Sequence, residues 1–198
     1  MLNRRIALSG LFTLPLAPSL IPSGTGLASP GKLIMAARAR IGRTRYYDPA
    51  YVSLDYPGGD VAGDRGVCTD VVVRAYRAAF GFDLQKAVHE DLASDFGAYP
   101  EIWGLTRPDR NIDHRRVPNL ETFLARLGTE LSARDWQPGD LYTGRLPNNN
   151  LPHISIVSDK RSWRTRRPLL IHNIGRGTEE SDWLDVFHSR RRFRFFPA

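Results

Sequence analysis

The only cysteine of the chain opens a segment that has the spacing of a helix. Cys68 lies at the start of residues 67–80, whose apolar side chains recur at helical intervals, and Gly81 is placed to end this helix. The unpaired N–H groups and the positive dipole end at a helix start lower the pKa of a thiol. We therefore expect Cys68 to be a thiolate at neutral pH and a candidate nucleophile. A lone cysteine is also commonly a small buried hydrophobic residue, and position alone leaves both interpretations open.

A cysteine nucleophile requires a base, and the base requires a partner that orients its ring. His153 begins the alternating segment 153–158, and His172 lies in the apolar run 169–174. Pairing of these two predicted strands in a hairpin places both imidazoles on one face of a sheet. Asn173 competes with His172 for the orienting role, because a one-residue shift in strand phase exchanges the side chains that face the site.

Two further histidines allow a metal-dependent alternative. His89 and His114, together with Asp91 and Asp113, supply four donor side chains, although none of their spacings is a recognised zinc motif. The chain contains no G-x-S-x-G nucleophile elbow and no glycine-rich phosphate loop. The sequence thus favours cysteine chemistry without a metal or another cofactor, and a metal-dependent hydrolase is the less favoured alternative.

The composition is typical of one globular domain with a basic surface. The chain has 198 residues, of which 41% are hydrophobic and 25% charged, and it has no internal repeat. The formal net charge is +7, and 25 of the 28 basic residues are arginine, whose forked guanidinium suits carboxylates and phosphates. No nucleic-acid recognition motif is present, so nucleic acid is not an expected partner. Two clusters predict basic faces able to associate peripherally with an anionic envelope surface: Arg161, Arg164, Arg166 and Arg167, and Arg190, Arg191, Arg192 and Arg194.

The first 28 residues have the layout of a signal peptide. Residues 1–5 are basic, residues 6–21 are apolar and interrupted by two prolines, and small residues follow up to Ala28. The Arg4-Arg5 pair also fits a twin-arginine export signal, and an uncleaved membrane anchor is the alternative. We expect an exported protein, periplasmic or secreted. An unpaired thiol is open to oxidation there, which favours a function for Cys68 over a packing role.

Helical patterns precede strand patterns along the chain, which predicts an α+β fold with an antiparallel sheet. The predicted helices span residues 31–42, 67–80, 84–96 and 120–127, the last of them capped by Asn119. The predicted strands span residues 141–143, 153–158 and 169–174. We expect a single domain over residues 29–198.

The segments around the candidate histidines resemble those of NlpC/p60-like cell-wall cysteine peptidases, a papain-like group. The matching stretches are Pro138-Gly139-Asp140-Leu141, residues 153–157 and Ile171-His172. The resemblance implies a nucleophile at a helix start packed on a small antiparallel sheet, with Cys68, His153 and His172 as catalytic residues. It also implies that Tyr56, upstream of the cysteine, helps to bind the oxyanion. The chain departs from the pattern at Thr69-Asp70, where those peptidases usually have Ser-Gly, and in an inserted loop region at about 82–135.

A longer resemblance covers nearly the whole chain after residue 28. It is similar to the bacterial family described as domain of unknown function 1287 in the segments YDPAYVSLDYPGGDV, DRGVCTDVVVRAYR, VHEDL, WGLTRPDRNIDHRRVPNL, LPHISIVSD and HNIGRGTEE. This resemblance strengthens the expected fold and site more than it specifies a substrate.

The resemblance to the NlpC/p60-like peptidases implies an exported cysteine hydrolase, a peptidase or amidase that acts on peptide or amide bonds of peptidoglycan. The stem peptides of this polymer carry free carboxylates, which arginines could bind in bidentate fashion. The candidate substrate-binding residues are Arg65, Asp70, Trp103, Arg115 and Arg116. A second hypothesis is a module of papain-like fold that binds the cell wall or a partner without turnover.

Overall fold

Within residues 29–197, four helices precede the main sheet, and the first, second and fourth of them pack against it. The structure is a computed structural model that describes residues 29–197. The predicted signal peptide, residues 1–28, lies outside the described residues. The helices are α1 (Ser29–Arg38), α2 (Cys68–Phe80), α3 (Leu84–Ser94) and α4 (Val117–Arg126), and two short 3-10 helices span Phe96–Ala98 and Asp113–Arg115. Within residues 29–197, no helix has the length and apolar character needed to cross a membrane.

The six-stranded sheet is antiparallel throughout, in the order β3-β8-β4-β5-β6-β7. Its strands are β3 (Glu130–Leu131), β4 (Leu141–Arg145), β5 (Pro152–Arg161), β6 (Pro168–Asn173), β7 (Thr178–Ser181) and β8 (His188–Phe193). A separate parallel pair joins β1 (Tyr46–Tyr47) to β2 (Arg65–Gly66). The α+β class with an antiparallel sheet is confirmed, whereas the sequence did not predict β3, β7 or β8.

Helix α2 begins at the cysteine for a local reason. The backbone before Cys68 is extended, and the Asp70 carboxylate accepts a hydrogen bond of 2.6 Å from the N–H of Val67, which secures the first turn. Gly81 ends the helix in the left-handed conformation with φ of 65°. The predicted boundaries are therefore correct to within one residue.

The predicted start of α4 is wrong. Asn119 is not its cap, because the helix already begins at Val117 and a proline occupies its first turn, where a fixed φ favours helix initiation. Asn119 is instead buried inside the helix, and its Nδ2 atom donates to the carbonyl of Asp113 at 3.1 Å. Its side chain thus ties α4 to the preceding 3-10 turn.

The two faces of the sheet bury separate apolar clusters, because side chains alternate along each strand. The helix-side cluster contains Cys68 and residues of α1, α2 and α4, together with Ile154, Ile156 and Ile171 of the sheet. The opposite cluster contains Tyr142, Val157, Leu170, Leu184 and Phe187. Alternation in β5 therefore directs Ile154 toward α2 and its neighbour His153 toward the opposite cluster.

The C-terminal arginine cluster does not form the free basic face that the sequence predicted. It lies in and next to β8, where each arginine meets a carboxylate: Arg190 with Asp185, Arg191 with Glu130, and both Arg192 and Arg194 with Asp140. The Asp140 side chain is fully buried, and Arg192 lies 2.6 Å from it. These arginines therefore hold the strand to its neighbours.

Candidate active site

Cys68 lies at the base of a cleft of about 350 Å³, here called the Cys68 cleft. The side chain is 4% exposed, so the sulfur is nearly buried but borders the cleft. The cleft walls include Tyr47, Val67, Trp103, Arg116, Leu151 and Pro152. Residues from four separate parts of the chain thus meet around the cysteine.

The sulfur of Cys68 lies beside the first residues of β5. The backbone N–H of Ile154 lies close enough to this sulfur to lower the pKa of the thiol. That N–H belongs to the peptide formed with His153, and Pro152 lines the cleft on the same side. The candidate nucleophile therefore lies beside the backbone that carries the candidate base.

The expected thiolate is not the state that the surroundings of Cys68 favour. Burial raises the pKa of the thiol to about 11, and the nearby Asp70 carboxylate adds to the rise. The N–H groups of Ile154, Thr69 and Cys68 itself oppose the rise without cancelling it. At neutral pH the resting group is consequently a thiol, because the cost of placing a charge in this apolar setting outweighs the helix-start effect.

The two strand histidines contact each other as the alternation pattern predicted. The Nε2 atom of His153 on β5 lies 2.8 Å from the Nδ1 atom of His172 on β6, and the rings meet edge to face. Both side chains are buried, at 3% and 0% exposure. Burial lowers the pKa of His172 to about 4 and that of His153 well below its ordinary value, so both rings are neutral at pH 7.

A further pair of residues extends this contact into a chain of hydrogen bonds. The Nε2 atom of His172 lies 2.8 Å from the Oγ atom of Ser181, and this hydroxyl donates to Oε1 of Glu179 at 3.0 Å. The register of β6 and β7 places His172 directly opposite Glu179. Neither Ser181 nor Glu179 was among the residues that the sequence singled out.

The carboxylate at the end of this chain sets the direction of every bond in it. Glu179 can only accept, so the Ser181 hydroxyl donates to it and accepts the Nε2–H of His172. The Nδ1 atom of His172 is then an acceptor, and it receives the Nε2–H of His153. The lone pair of His153 must therefore reside on Nδ1, the tautomer required of a base whose Nε2 is held by a neighbour.

Aromatic side chains from the segment between β7 and β8 hold the two rings. Phe187 stacks on His153 with a centroid distance of 5.0 Å and an interplanar angle of 5°. Trp183 meets His172 edge on at 5.9 Å. Sequence reasoning missed both residues, since an aromatic residue in a loop carries no periodic pattern to mark it.

The Asn173 side chain lies on the other face of β6 from His172 and has a different role. Its Nδ2 atom donates to the carbonyl of Gly66 at 2.9 Å, which anchors the backbone just before Cys68. Gly66 has φ of 151°, and a Cβ at this position would lie 2.8 Å from the Asp70 carboxylate, so glycine is required. Of the two candidates for the orienting role, His172 is thus the one that contacts His153.

The tyrosine that reaches the Cys68 cleft is Tyr47, which the sequence did not indicate. The proposed oxyanion candidate, Tyr56, instead packs its ring against His89 and directs its hydroxyl toward Glu90 at 3.4 Å. Tyr47 lines the cleft because the parallel pairing of β1 and β2 places it beside Gly66. Tyr47 is paired with a residue just before the cysteine but lies far from it in the sequence. No local sequence pattern therefore marks it as a residue of the cleft.

Two of the predicted substrate-binding residues are bound to each other. Asp70 and Arg115 form a buried pair at 3.1 Å, and Arg115 also donates to the carbonyls of Asp48 and Ala50. Arg65 pairs with Asp48 and borders a different cleft. These partners favour a structural role for all three side chains.

Arg116 and Trp103 lie at the Cys68 cleft, as does the buried Arg115. The guanidinium of Arg116 lies over the Trp103 ring, 4.2 Å from its centroid. Within residues 29–197, no carboxylate forms an ion pair with Arg116, because the nearby Asp113 and Asp70 pair with His89 and Arg115. This arginine can therefore take an anionic group of a ligand.

The residues proposed for a metal do not assemble into a site. His89 hydrogen-bonds to Asp113 through Nδ1 at 2.9 Å, whereas burial lowers the pKa of His114 to about 4. Over the part of the chain that the structure describes, no three side chains of His, Cys, Asp or Glu converge as a metal site would require.

The structure defines a mixed α/β domain with a cysteine at a helix start and a histidine chain on the adjoining sheet. Residues 34–195 match the family model described as Domain of unknown function (DUF1287), and the chain belongs to this family. It is also similar to a protein of Escherichia coli (strain K12) named "Uncharacterized protein YijF". The two are 48% identical over 186 residues, which cover 91% of this chain and 89% of that protein.

Proposed function

We propose that the protein is an exported cysteine hydrolase of papain-like, NlpC type that cleaves peptide or amide bonds of peptidoglycan. The observation that carries the proposal is the ordered pair His153 and His172, attached to the backbone beside the Cys68 sulfur. A cysteine, a base and an orienting group in this order are what nucleophilic catalysis at an amide requires.

The proposed reaction starts from neutral groups. As the sulfur of Cys68 attacks the substrate carbonyl carbon, the thiol proton passes to Nδ1 of His153. Collapse of the tetrahedral intermediate breaks the C–N bond, and His153 returns the proton to the departing amine. Water then attacks the thioester, delivering one proton to His153 and releasing the carboxylic acid as the thiol re-forms.

The transfer must take place at the end of β5. The His153 ring packs on the far face of the sheet, whereas the sulfur lies on the helix face. His153 is the second residue of β5. A proton can pass from one face of the sheet to the other only around the end of a strand. The Cys68 cleft opens at this end, next to Pro152.

In the proposed reaction two donors stabilise the developing oxyanion. One is the backbone N–H of Cys68, which as the first of its helix has no partner within the helix. The other is the hydroxyl of Tyr47 on the cleft wall. Each such donor contributes roughly 3 to 4 kcal/mol in well-studied hydrolases.

The cleft walls fit a peptide that carries a free carboxylate. Arg116 provides the cation, and stacking on Trp103 holds its plane in a fixed orientation. The apolar side chains of Leu151 and Val117 border the same cleft and suit the aliphatic part of a stem peptide.

Digestion of purified peptidoglycan tests the proposal. We expect the wild-type protein to release soluble fragments identified by mass spectrometry, and Cys68→Ala and His153→Ala to release none. His188→Ala is the matched control, because this exposed histidine on β8 lies outside the chain of hydrogen bonds. Fragments from all variants alike, or from none, would contradict the hydrolase.

The raised pKa of the Cys68 thiol favours one second candidate, a binding module of the same fold without turnover. It predicts that peptidoglycan binds to the wild type and to Cys68→Ala equally and that neither protein releases fragments.

A further inference from the structure

The turn between β5 and β6 displays a tryptophan to solvent. Trp163 is 83% exposed, more than any other large hydrophobic side chain in the described part of the chain. The turn that carries it is well tied: the N–H of Ser162 donates to the carbonyl of Arg167 at 2.8 Å, and the Ser162 hydroxyl accepts from the N–H groups of Arg164 and Thr165. An ordered turn thus holds a large apolar ring outside the core, where nothing in the described chain covers it.

Exposed arginines surround this ring, and we call the group the basic tip: Arg161, Trp163, Arg164, Arg166 and Arg167. Within residues 29–197, no carboxylate forms an ion pair with Arg161, Arg164 or Arg166. The guanidinium of Arg164 lies 5.8 Å from the centre of the Trp163 ring.

The acidic groups near the basic tip are already engaged. Asp185 pairs with Arg167, and Asp182 accepts a hydrogen bond from the Thr165 hydroxyl. Glu180 pairs with Arg38 and Lys160 at the base of the hairpin. The contrast with β8 is clear, since every arginine of that cluster pairs with a carboxylate, Arg192 and Arg194 with the same one.

We propose that the basic tip binds a bilayer surface that carries anionic phospholipid headgroups. An indole prefers the boundary between headgroups and acyl chains, where its ring is apolar and its N–H is solvated. Guanidinium groups pair with phosphate oxygens in bidentate fashion and are attracted by the negative surface potential. A tryptophan beside three arginines that form no ion pair with a carboxylate combines both contributions in one short turn.

The position of the basic tip is compatible with an open cleft. His153 and Arg161 lie at opposite ends of β5, and eight strand residues span roughly 26 Å. Contact with a membrane at the tip would therefore leave the Cys68 cleft accessible. The proposal does not depend on the proposed hydrolase activity.

Co-sedimentation of the full chain with vesicles tests the proposal. The probes are vesicles of phosphatidylcholine alone and of equal parts phosphatidylcholine and phosphatidylglycerol. We expect the wild type to bind the anionic vesicles more tightly, and both Trp163→Ala and the triple variant R161Q/R164Q/R166Q to weaken this binding about tenfold or more. Tryptophan emission should shift to shorter wavelength on binding in the wild type but not in Trp163→Ala.

Matched controls distinguish binding by the basic tip from nonspecific hydrophobic adsorption and from an effect of net charge. Ile102→Ala removes another exposed apolar side chain, at 67% exposure, and R43Q/R45Q/R107Q removes three exposed arginines elsewhere. Both controls should bind as the wild type does. Equal weakening by tip and control variants, or no weakening by the tip variants, overturns the proposal. The proposal is also overturned if the wild type binds an anionic glycopolymer through the basic tip but does not bind the anionic vesicles.

Discussion

The Nε2 atom of His153 lies 2.8 Å from the Nδ1 atom of His172, across two adjacent antiparallel strands. Ser181 and Glu179 continue this contact on the next strand, so a carboxylate at the sheet margin sets the tautomer of His153.

Replacing His172 should impair the base without removing it. We expect His172→Ala to lower kcat by about 100-fold or more, because His153 loses the acceptor that keeps its proton on Nε2. His172→Asn should retain part of the activity, since its side-chain oxygen can accept in place of Nδ1. Peptidoglycan turnover measures the rates, and equal rates for the two variants would contradict an orienting role.

Ser181 and Glu179 should act through the tautomer of His153. Ser181→Ala removes the acceptor for His172 Nε2–H, which frees the ring to change tautomer and leaves His153 with mixed tautomers. The nitrogen chemical shifts of labelled histidine side chains report this state directly, whether or not the protein turns over substrate. Ser53→Ala, on an exposed loop, is the control and should leave the shifts unchanged. Unaltered His153 shifts in Ser181→Ala would refute the relay.

The alkylation of Cys68 should require alkaline pH. Its thiol, with a pKa raised to about 11, is protonated at pH 7, so the rate of iodoacetamide labelling should climb with pH up to about 11. In the denatured chain the same thiol should titrate near its ordinary pKa of about 8.5. Rates measured by mass spectrometry across pH compare the two states. A native rate that is already at its plateau below pH 7 would instead reveal a thiolate paired with an imidazolium.

Tyr47 and Tyr56 offer a direct test of the oxyanion site. Tyr47→Phe removes a hydroxyl from the Cys68 cleft and should lower kcat about 100-fold with little change in KM. Tyr56→Phe removes a hydroxyl that faces Glu90 and should leave kcat nearly unchanged. Steady-state kinetics on peptidoglycan fragments measures kcat and KM for both variants. A larger loss of kcat in Tyr56→Phe than in Tyr47→Phe would assign the oxyanion role to Tyr56.

The buried pair of Asp70 and Arg115 should matter for stability more than any exposed pair. Arg115→Ala leaves the Asp70 carboxylate buried without its cation and should lower the free energy of unfolding by about 3 to 5 kcal/mol. Arg126→Ala breaks partly exposed contacts with Asp91 and Asp95, which solvent screens, and should lower the free energy of unfolding far less. Urea unfolding measures both, and similar losses for the two variants would contradict the distinction.

Local spacing was sufficient for most elements near the site. The helix that begins at Cys68 and ends before Gly81 follows from side chains three and four residues apart, and the strands that carry His153 and His172 follow from alternation. The short strands β3 and β7 and the arginine-rich β8 could not be predicted in this way. Their residues become strand residues through pairing with partners far along the chain.

The amino-acid sequence by itself determined the helices before the sheet, the cysteine at a helix start and the two histidines on one face, because these depend on neighbours a few residues apart. Only the tertiary structure decided that Tyr47 borders the cleft, that Arg115 is neutralised by Asp70 and that the thiol of Cys68 stays protonated. The reason is physical: burial and ion pairing depend on which distant segments meet, and the charge state of a side chain follows from that meeting.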